Sequence, residues 1–307
     1  MLAGVSWVSW RTFLAVCRCG SLSAAALELG YTQSAVSRQV AALEREVGAA
    51  LLHRQARGVE PTAAGIAFLR HATVAVNEAD RALRSARSPD PVRRLAIGAT
   101  PSLATWVAPA AVRRFLAADP GWGWTLVPGL TRDLHTRVAD GELDVALVTD
   151  APPGLPHDDR VRSIPLGADA MVVVVAADHP LAGRRRVRIE ELAEEVWAED
   201  NDGSRALLRR HAARAGVDPK IDLDAADLAG KVALAATGHA VALVPGITLA
   251  TLRPDVVGIP LVDAPVRGLH ALVPTGGDHE GLARFVGILE DLLGEVTTPG
   301  DLGGRTR

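Results

Sequence analysis

The sequence predicts an α/β protein with an N-terminal all-α helix-turn-helix head. Three observations predict it. Residues 1–60 are helical in pattern and close on an Arg-containing loop. Residues 62–87 carry one long helical stripe. From Val92 onward, short strand-like runs alternate with helix-like runs, the pattern of an α/β architecture with largely parallel sheets. Ser88-Pro89-Asp90-Pro91 separates the last two segments, because each proline disfavours helix at itself and at the residue before it.

The head is read first. Ser23 is a suitable cap for the short helix ending at Gly30, and Gly30 is a suitable stop. After the turn Tyr31-Thr32, a second helix is predicted from about Gln33 to Val47. At 3.6 residues per turn, Val36, Val40, Leu43 and Val47 share one face, while Ser34, Ser37, Arg38, Ala41 and Arg45 share the other. The first face suits packing. The second is slim, hydrogen-bonding and cationic, which suits entry into a major groove. Periodicity alone favours an ordinary amphipathic helix with a solvated polar face.

Thr62 is placed to cap the long helix, and Arg84 and Arg87 suit its C-terminal turns. Ile66, Leu69, Thr73, Val76, Ala79 and Leu83 form an apolar stripe that requires a partner surface. The rest of the chain and the same helix of a second subunit are both candidates.

In the body, the strand LAIGA leads to a helix opening near Thr100-Pro101-Ser102. A strand near Trp124 leads to a helix opening near Thr131, and DVALV is a third strand. Strand-to-helix junctions at the carboxyl ends of parallel strands are where α/β folds place small ligands. Thr100, Ser102 and Thr131 are therefore the first ligand candidates. Asn201, Asp202 and Ser204, in a loop before a further helix, are candidates for the opposite side, and His239 for the cleft as well. Each polar residue here has the alternative of capping a helix without touching a ligand. Free N–H groups and helix dipoles incline the site toward an anion.

Composition bounds the rest. The 307 residues allow two or three domains and need no staples, and 48% hydrophobic with 22% charged is ordinary for a globular chain. Cys17 and Cys19 are too few for a disulfide framework and lie on divergent faces of a helix. No run of 18 uncharged apolar residues implies a membrane span, and the N-terminus lacks the basic region of a signal peptide, so a cytoplasmic location is expected. The first 90 residues hold 10 Arg and 7 acidic residues, against 23 basic and 29 acidic in the remainder. A basic head on an acidic body fits nucleic-acid contact at one end.

The string GSLSAAALELGYTQSAVSRQVAALEREVGAALLHRQARGVEPTAAG resembles the head of the LysR-type transcriptional regulators. The matching elements include Gly20-Ser21, Ala25-Ala26, Leu29, Gln33 to Arg38, Leu43-Glu44, Gly48, Leu51, Arg54, Thr62 and Gly65. The resemblance implies a winged helix-turn-helix over residues 1–60, with residues 52–60 as the wing. It implies that Thr32, Gln33, Ser34, Ser37 and Arg38 read double-stranded DNA, and that Arg54 and Arg57 meet backbone phosphate or the minor groove. Leu52 stands where the family usually has an aromatic, and His53 beside it reads as a solvated wing residue. Residues 61–88 then form a linker helix that pairs in a homodimer or homotetramer.

Phe115, Pro120, Gly141 to Asp144, Asp178 to Ala182 and the segment 231–246 extend the resemblance to the effector domain of that family, which looks like a periplasmic binding protein. Residues 89–307 then form the effector-binding domain. Its subdomain I covers about 92–163 and 267–294, and subdomain II about 164–266, with a small-molecule effector between them. Promoter or operator DNA and RNA polymerase are the implied partners. Ala240 stands where a second glycine is common, and Trp122 and Trp124 in GWGW read as packing residues.

No phosphate-binding loop, HExxH, GxSxG or strand-following GxGxxG occurs, so no catalytic residue, metal site or cofactor is assigned, and the chain is not expected to be an enzyme. The rival reading is an enzyme or metabolite-binding protein with a vestigial head. The groove-facing set Ser34, Ser37 and Arg38 argues against it.

Overall fold

The computed structural model describes residues 6–55, 58–87, 93–276 and 280–296. The chain divides into two compact units, one of residues up to 92 with 140–142 and one of residues 93–139 and 143 onward. Arg57, proposed above as a wing contact, lies outside the described residues.

The first unit contains α1 (Trp7–Cys19), α2 (Leu22–Leu29), α3 (Gln33–Val47), the hairpin β1 (Leu52–Gln55) with β2 (Gly58–Pro61), and α4 (Ala63–Arg87). Helices α1, α2 and α3 each stop at a glycine in the left-handed region, Gly20, Gly30 and Gly48. The cap of α2 is Ser21, not Ser23. Gly20 swings the chain so that the extended Ser21 directs its hydroxyl at the Ala24 N–H, and Ser23 falls inside the helix.

Two small cores hold the head. Ala15, Val16, Ala25, Val36 and Val40 form one, and Phe13, Leu43 and Leu51 the other, with Phe68 edge-on to Phe13 at 5.5 Å. Leu52 packs against both, so an aliphatic side chain fills the place where an aromatic is usual. Val47, expected on the packed face, is 41% exposed at the last residue of α3, where the chain turns away at Gly48. The Glu44 carboxylate accepts the N–H groups of Leu51 and Leu52 at 2.8 and 3.1 Å, tying α3 to the hairpin. Gly65 is required at the start of α4, since a β-carbon there would lie 2.0 Å from the Leu51 carbonyl oxygen. Thr62 caps α4 by accepting the Gly65 N–H at 2.9 Å, and donates to the Ala50 carbonyl at 2.7 Å. The α4 stripe is not uniformly covered. Val76 is buried, but Ile66 and Leu83 are 47% and 48% exposed.

The second unit is a three-layer α/β body. Its elements are β3 (Arg93–Ala99), α5 (Pro101–Thr105), α6 (Val107–Ala118), β4 (Trp122–Pro128), α7 (Thr131–Ala139), β5 (Val145–Thr149), β6 (Val161–Ala176), β7 (Val196–Glu199), α8 (Asp202–Arg214), β8 (Lys220–Asp224), α9 (Leu228–Ala236), β9 (Val241–Pro245), β10 (Val256–Pro260), β11 (Val266–Pro274) and α10 (Glu280–Val296). The strand order is β4-β3-β5-β11-β6-β9-β7-β8, with β10 also on β6.

The sheet is mixed, not largely parallel. The pairs β3–β4, β3–β5, β7–β8 and β7–β9 are parallel, as helix crossovers require. The long strands β6 and β11 are antiparallel to each neighbour. They pass between the two halves of the body and remain paired from Val161–Pro274 to Ala170–Val266, shifting register beside Leu269.

One core gathers Ile97, Phe115, Leu147, Leu269, Phe285 and Leu289 beneath α6 and α10. Another gathers Val173, Trp197, Leu208 and Leu243 in the second half. Trp122 packs edge-on to Phe115 at 5.2 Å and donates to Asp119 at 2.9 Å, a packing role. Among the described residues no helix is long and apolar enough to cross a membrane.

Candidate nucleic-acid face and ligand cleft

Helix α3 begins at an exposed corner. Thr32 caps it by accepting the Ala35 N–H at 3.2 Å, and its hydroxyl lies 3.1 Å from that of Ser34. Val36, Val40 and Leu43 bury the opposite side. This leaves Thr32, Gln33, Ser34 and Arg38 exposed, with Ser37 half-buried among them. Arg38 has no hydrogen-bond or ion-pair partner among the described residues. The face therefore offers hydroxyls, an amide and one uncommitted guanidinium beside a helix N-terminus, the donors that base edges and phosphates accept. Arg54 lies on β1 opposite Val59.

In the body, Thr100, Ser102, Thr131, Asn201, Asp202 and Ser204 line one cavity of about 360 Å³. This is within the range of small-molecule sites. Residues from the ends of β3 and β5 and the starts of α5 and α7 form one wall, and the start of α8, α9 and β11 form the other. His239 does not join them. Helix α9 ends at Ala236, Gly238 turns the chain at φ 70°, and the exposed His239 ring sits 2.8 Å from the Thr237 hydroxyl.

Sequence reasoning missed the charged groups of the cavity. Arg267 on β11 is 8% exposed and lies directly across from Asp169 on β6. Its Nε and Nη2 donate to Asp169 Oδ2 at 3.0 and 2.8 Å, and Nη2 also donates to the Ser102 hydroxyl at 2.9 Å. Asp169 Oδ1 accepts the Ile247 N–H at 2.9 Å. Burial lowers the pKa of the Arg267 guanidinium, and Asp169 opposes that pull. This network joins α5 of the first half to the turn after β9 of the second, across both connecting strands.

Lys231 on α9 is the second group. Its Nζ is 2.6 Å from Glu199, 3.4 Å from Asp200 and 2.9 Å from the Ser204 hydroxyl. Glu199 is fully buried, and burial pushes its carboxyl upward against the pull of Lys231. A signal for Lys231 was present in composition, because only two of the 33 basic residues are lysines. A compact ammonium fits three clustered acceptors where a planar guanidinium does not. Arg267 had no such signal, since its partner lies 98 residues away.

Several predicted ligand residues are also structural. Asn201 caps α8 by accepting the Ser204 N–H at 2.9 Å, and Thr131 donates to the Thr149 carbonyl at 3.0 Å. Thr100 differs. It is 5% exposed, and its hydroxyl is buried without a partner among the described residues.

Two family models match the chain. The LysR substrate binding domain covers residues 88–294, and the bacterial regulatory helix-turn-helix protein, lysR family, covers residues 7–66. The HTH-type transcriptional regulator CbbR of Rhizobium meliloti is 32% identical over 209 residues, which is 66% of this chain and 64% of that protein's length. The Hca operon transcriptional activator HcaR of Escherichia coli is 29% identical, covering 94% of this chain and 98% of HcaR. Full-length OxyR of Pseudomonas aeruginosa has the same fold at TM-score 0.64 and 18% identity, over 94% of each chain. Full-length CbnR, solved in complex with its target DNA, matches at TM-score 0.63 and 22% identity over 94% of this chain and 99% of CbnR. With both of its parts matched in order, the chain belongs to the LysR family of bacterial regulatory proteins.

Proposed function

We propose that this chain is a DNA-binding transcription regulator, not an enzyme, controlled by a small molecule held in the cavity of its body. The observation that carries the reading is the exposed N-terminal face of α3, where Gln33, Ser34 and Arg38 are exposed above a buried Val36–Val40–Leu43 spine. CbnR is bound to its target DNA, and CbbR and HcaR are named as transcription regulators. Residues 1–60 form the DNA-reading head, residues 61–88 the linker, and residues 89–307 the effector domain. The exposed Ile66, Val74 and Leu83 of α4 supply the apolar surface for pairing linkers in a homodimer or a homotetramer. Two-fold pairing matches a DNA site with two half-sites. The effector shifts the relative placement of heads by binding one state of the body more tightly than another, and so changes contact with RNA polymerase.

The test is a gel shift of the full chain on the DNA flanking its own gene, across a range of salt concentrations. Specific binding that weakens steeply with salt is expected. Absence of specific binding at every salt concentration, together with turnover of a metabolite, would overturn the reading in favour of an enzyme.

A further inference from the structure

Helix N-termini facing a cleft ordinarily favour an anion. This cleft has countered its buried cations from within. Arg267 is paired with Asp169, and Lys231 with Glu199 and Asp200. Should Glu199 take up a proton, Lys231 still has Asp200. Helix α7 carries Asp133 in its first turn, and α8 carries Asp202. Helix α5 begins with Pro101, which has no N–H to offer. Arg132 alone among the lining cations has no acid on it among the described residues, and it is exposed at the rim.

What remains uncommitted inside is acceptor capacity. Asp200 is half-buried and lines the cavity. Its Oδ1 receives the Asn201 amide at 3.0 Å and Lys231 at 3.4 Å, while Oδ2 has no donor among the described residues. Asp133 and Asp202 line the same cavity and are exposed, as Arg132 is. On the opposite wall, the buried Thr100 hydroxyl has no partner among the described residues.

We propose that the cleft takes a small amino compound without net negative charge, its ammonium on Asp200 and a second polar group hydrogen-bonded to the Thr100 hydroxyl. The inference rests on the cavity being the effector site, and it deepens that reading by naming the ligand class. Desolvating a dianion here adds negative charge beside Asp133, Asp200 and Asp202 without freeing a buried cation to meet it, whereas an ammonium replaces water on a carboxylate.

The experiment compares the melting of the full chain with putrescine, L-ornithine, succinate or inorganic phosphate, each at about 10 mM. A ligand well above its Kd raises melting by a few degrees at this chain length. Putrescine or L-ornithine is expected to raise the melting temperature by about 3 °C, and the two anions by less than about 1 °C. Asp200→Asn should weaken the amine response at least about tenfold in titration calorimetry, and Asp200→Glu should recover part of it. Failure of both amines to stabilise overturns the inference. Equal or greater stabilisation by succinate or phosphate also overturns it, and leaves the cavity reading standing if Leu228→Trp, which fills the cavity, abolishes that effect. Amine stabilisation that persists in Leu228→Trp overturns the cavity reading itself.

Discussion

The head and the body carry their candidate sites in opposite ways. In the head, the reading face is a set of mostly exposed side chains, and Arg38 among them has no hydrogen-bond or ion-pair partner among the described residues. The packing that supports it lies on the other side of α3, in Val36, Val40 and Leu43. In the body, the cavity wall is itself part of the structure. Arg267 lines the cavity and at the same time joins β11 to β6 and to α5. Substitutions on the head face should therefore change binding without changing stability. Substitutions in the cavity wall should change both.

The largest expected effect tests the second half of that contrast. Asp169→Asn leaves the Arg267 guanidinium buried without its counter-ion, which costs about 3–5 kcal/mol. Chemical denaturation followed by Trp197 fluorescence should show the loss, and replacing both partners by apolar residues should recover most of it. A variant as stable as the parent would mean that the network is not structural.

Gly65→Ala is the next largest. The new β-carbon would sit 2.0 Å from the Leu51 carbonyl, an overpacking cost of about 1–3 kcal/mol confined to the head. Circular dichroism melting should show the head unfolding earlier while ligand binding by the body is retained.

Arg38→Ala tests the first half. It should weaken specific DNA binding by roughly 1–3 kcal/mol and leave the melting curve in place. Unchanged DNA affinity would remove Arg38 from the reading face. A lowered melting temperature would show that the face is structural after all.

The smallest effect is acid sensitivity of the body. His135 on α7 and His211 on α8 are buried, and burial lowers the pKa of each below the ordinary 6.5. A folded-state pKa below the unfolded one contributes stability that is complete above pH 6.5 and is lost as pH falls through the folded value. Unfolding free energy should therefore decline as pH falls below about 6.5, and His211→Phe should flatten that slope. A head-only fragment is expected to lack the decline if the two histidines cause it.

Much of the head was legible in the sequence because its determinants are local. Gln33 to Val47 forms the helix that its 3.6-residue period predicts, and Gly30 and Thr62 stop and cap helices where glycine and threonine conventionally do. Ser21 displaced Ser23 as a cap because the left-handed Gly20 decides which hydroxyl faces the helix, a matter of backbone direction. In the body, strand-to-helix junctions placed Thr100, Ser102 and Thr131 on one cavity wall, because a junction at a strand's carboxyl end has a defined position in an α/β sheet. His239 was misplaced because the glycine turn after α9 sends it outward.

The amino-acid sequence by itself determined the helices of the head, the alternating order of the body and the hydroxyls at its junctions. These follow from periodicity, capping and turn chemistry within a few residues. Only the tertiary structure decided the mixed sheet and the charge balance of the cavity. The pairings Arg267–Asp169 and Lys231–Glu199 join residues 98 and 32 positions apart, and no local pattern states which buried charge another will meet. The proposal of an amine, where helix N-termini alone incline the site toward an anion, rests on that balance, because a helix dipole or a guanidinium attracts an anion only while no carboxylate of the chain already occupies it.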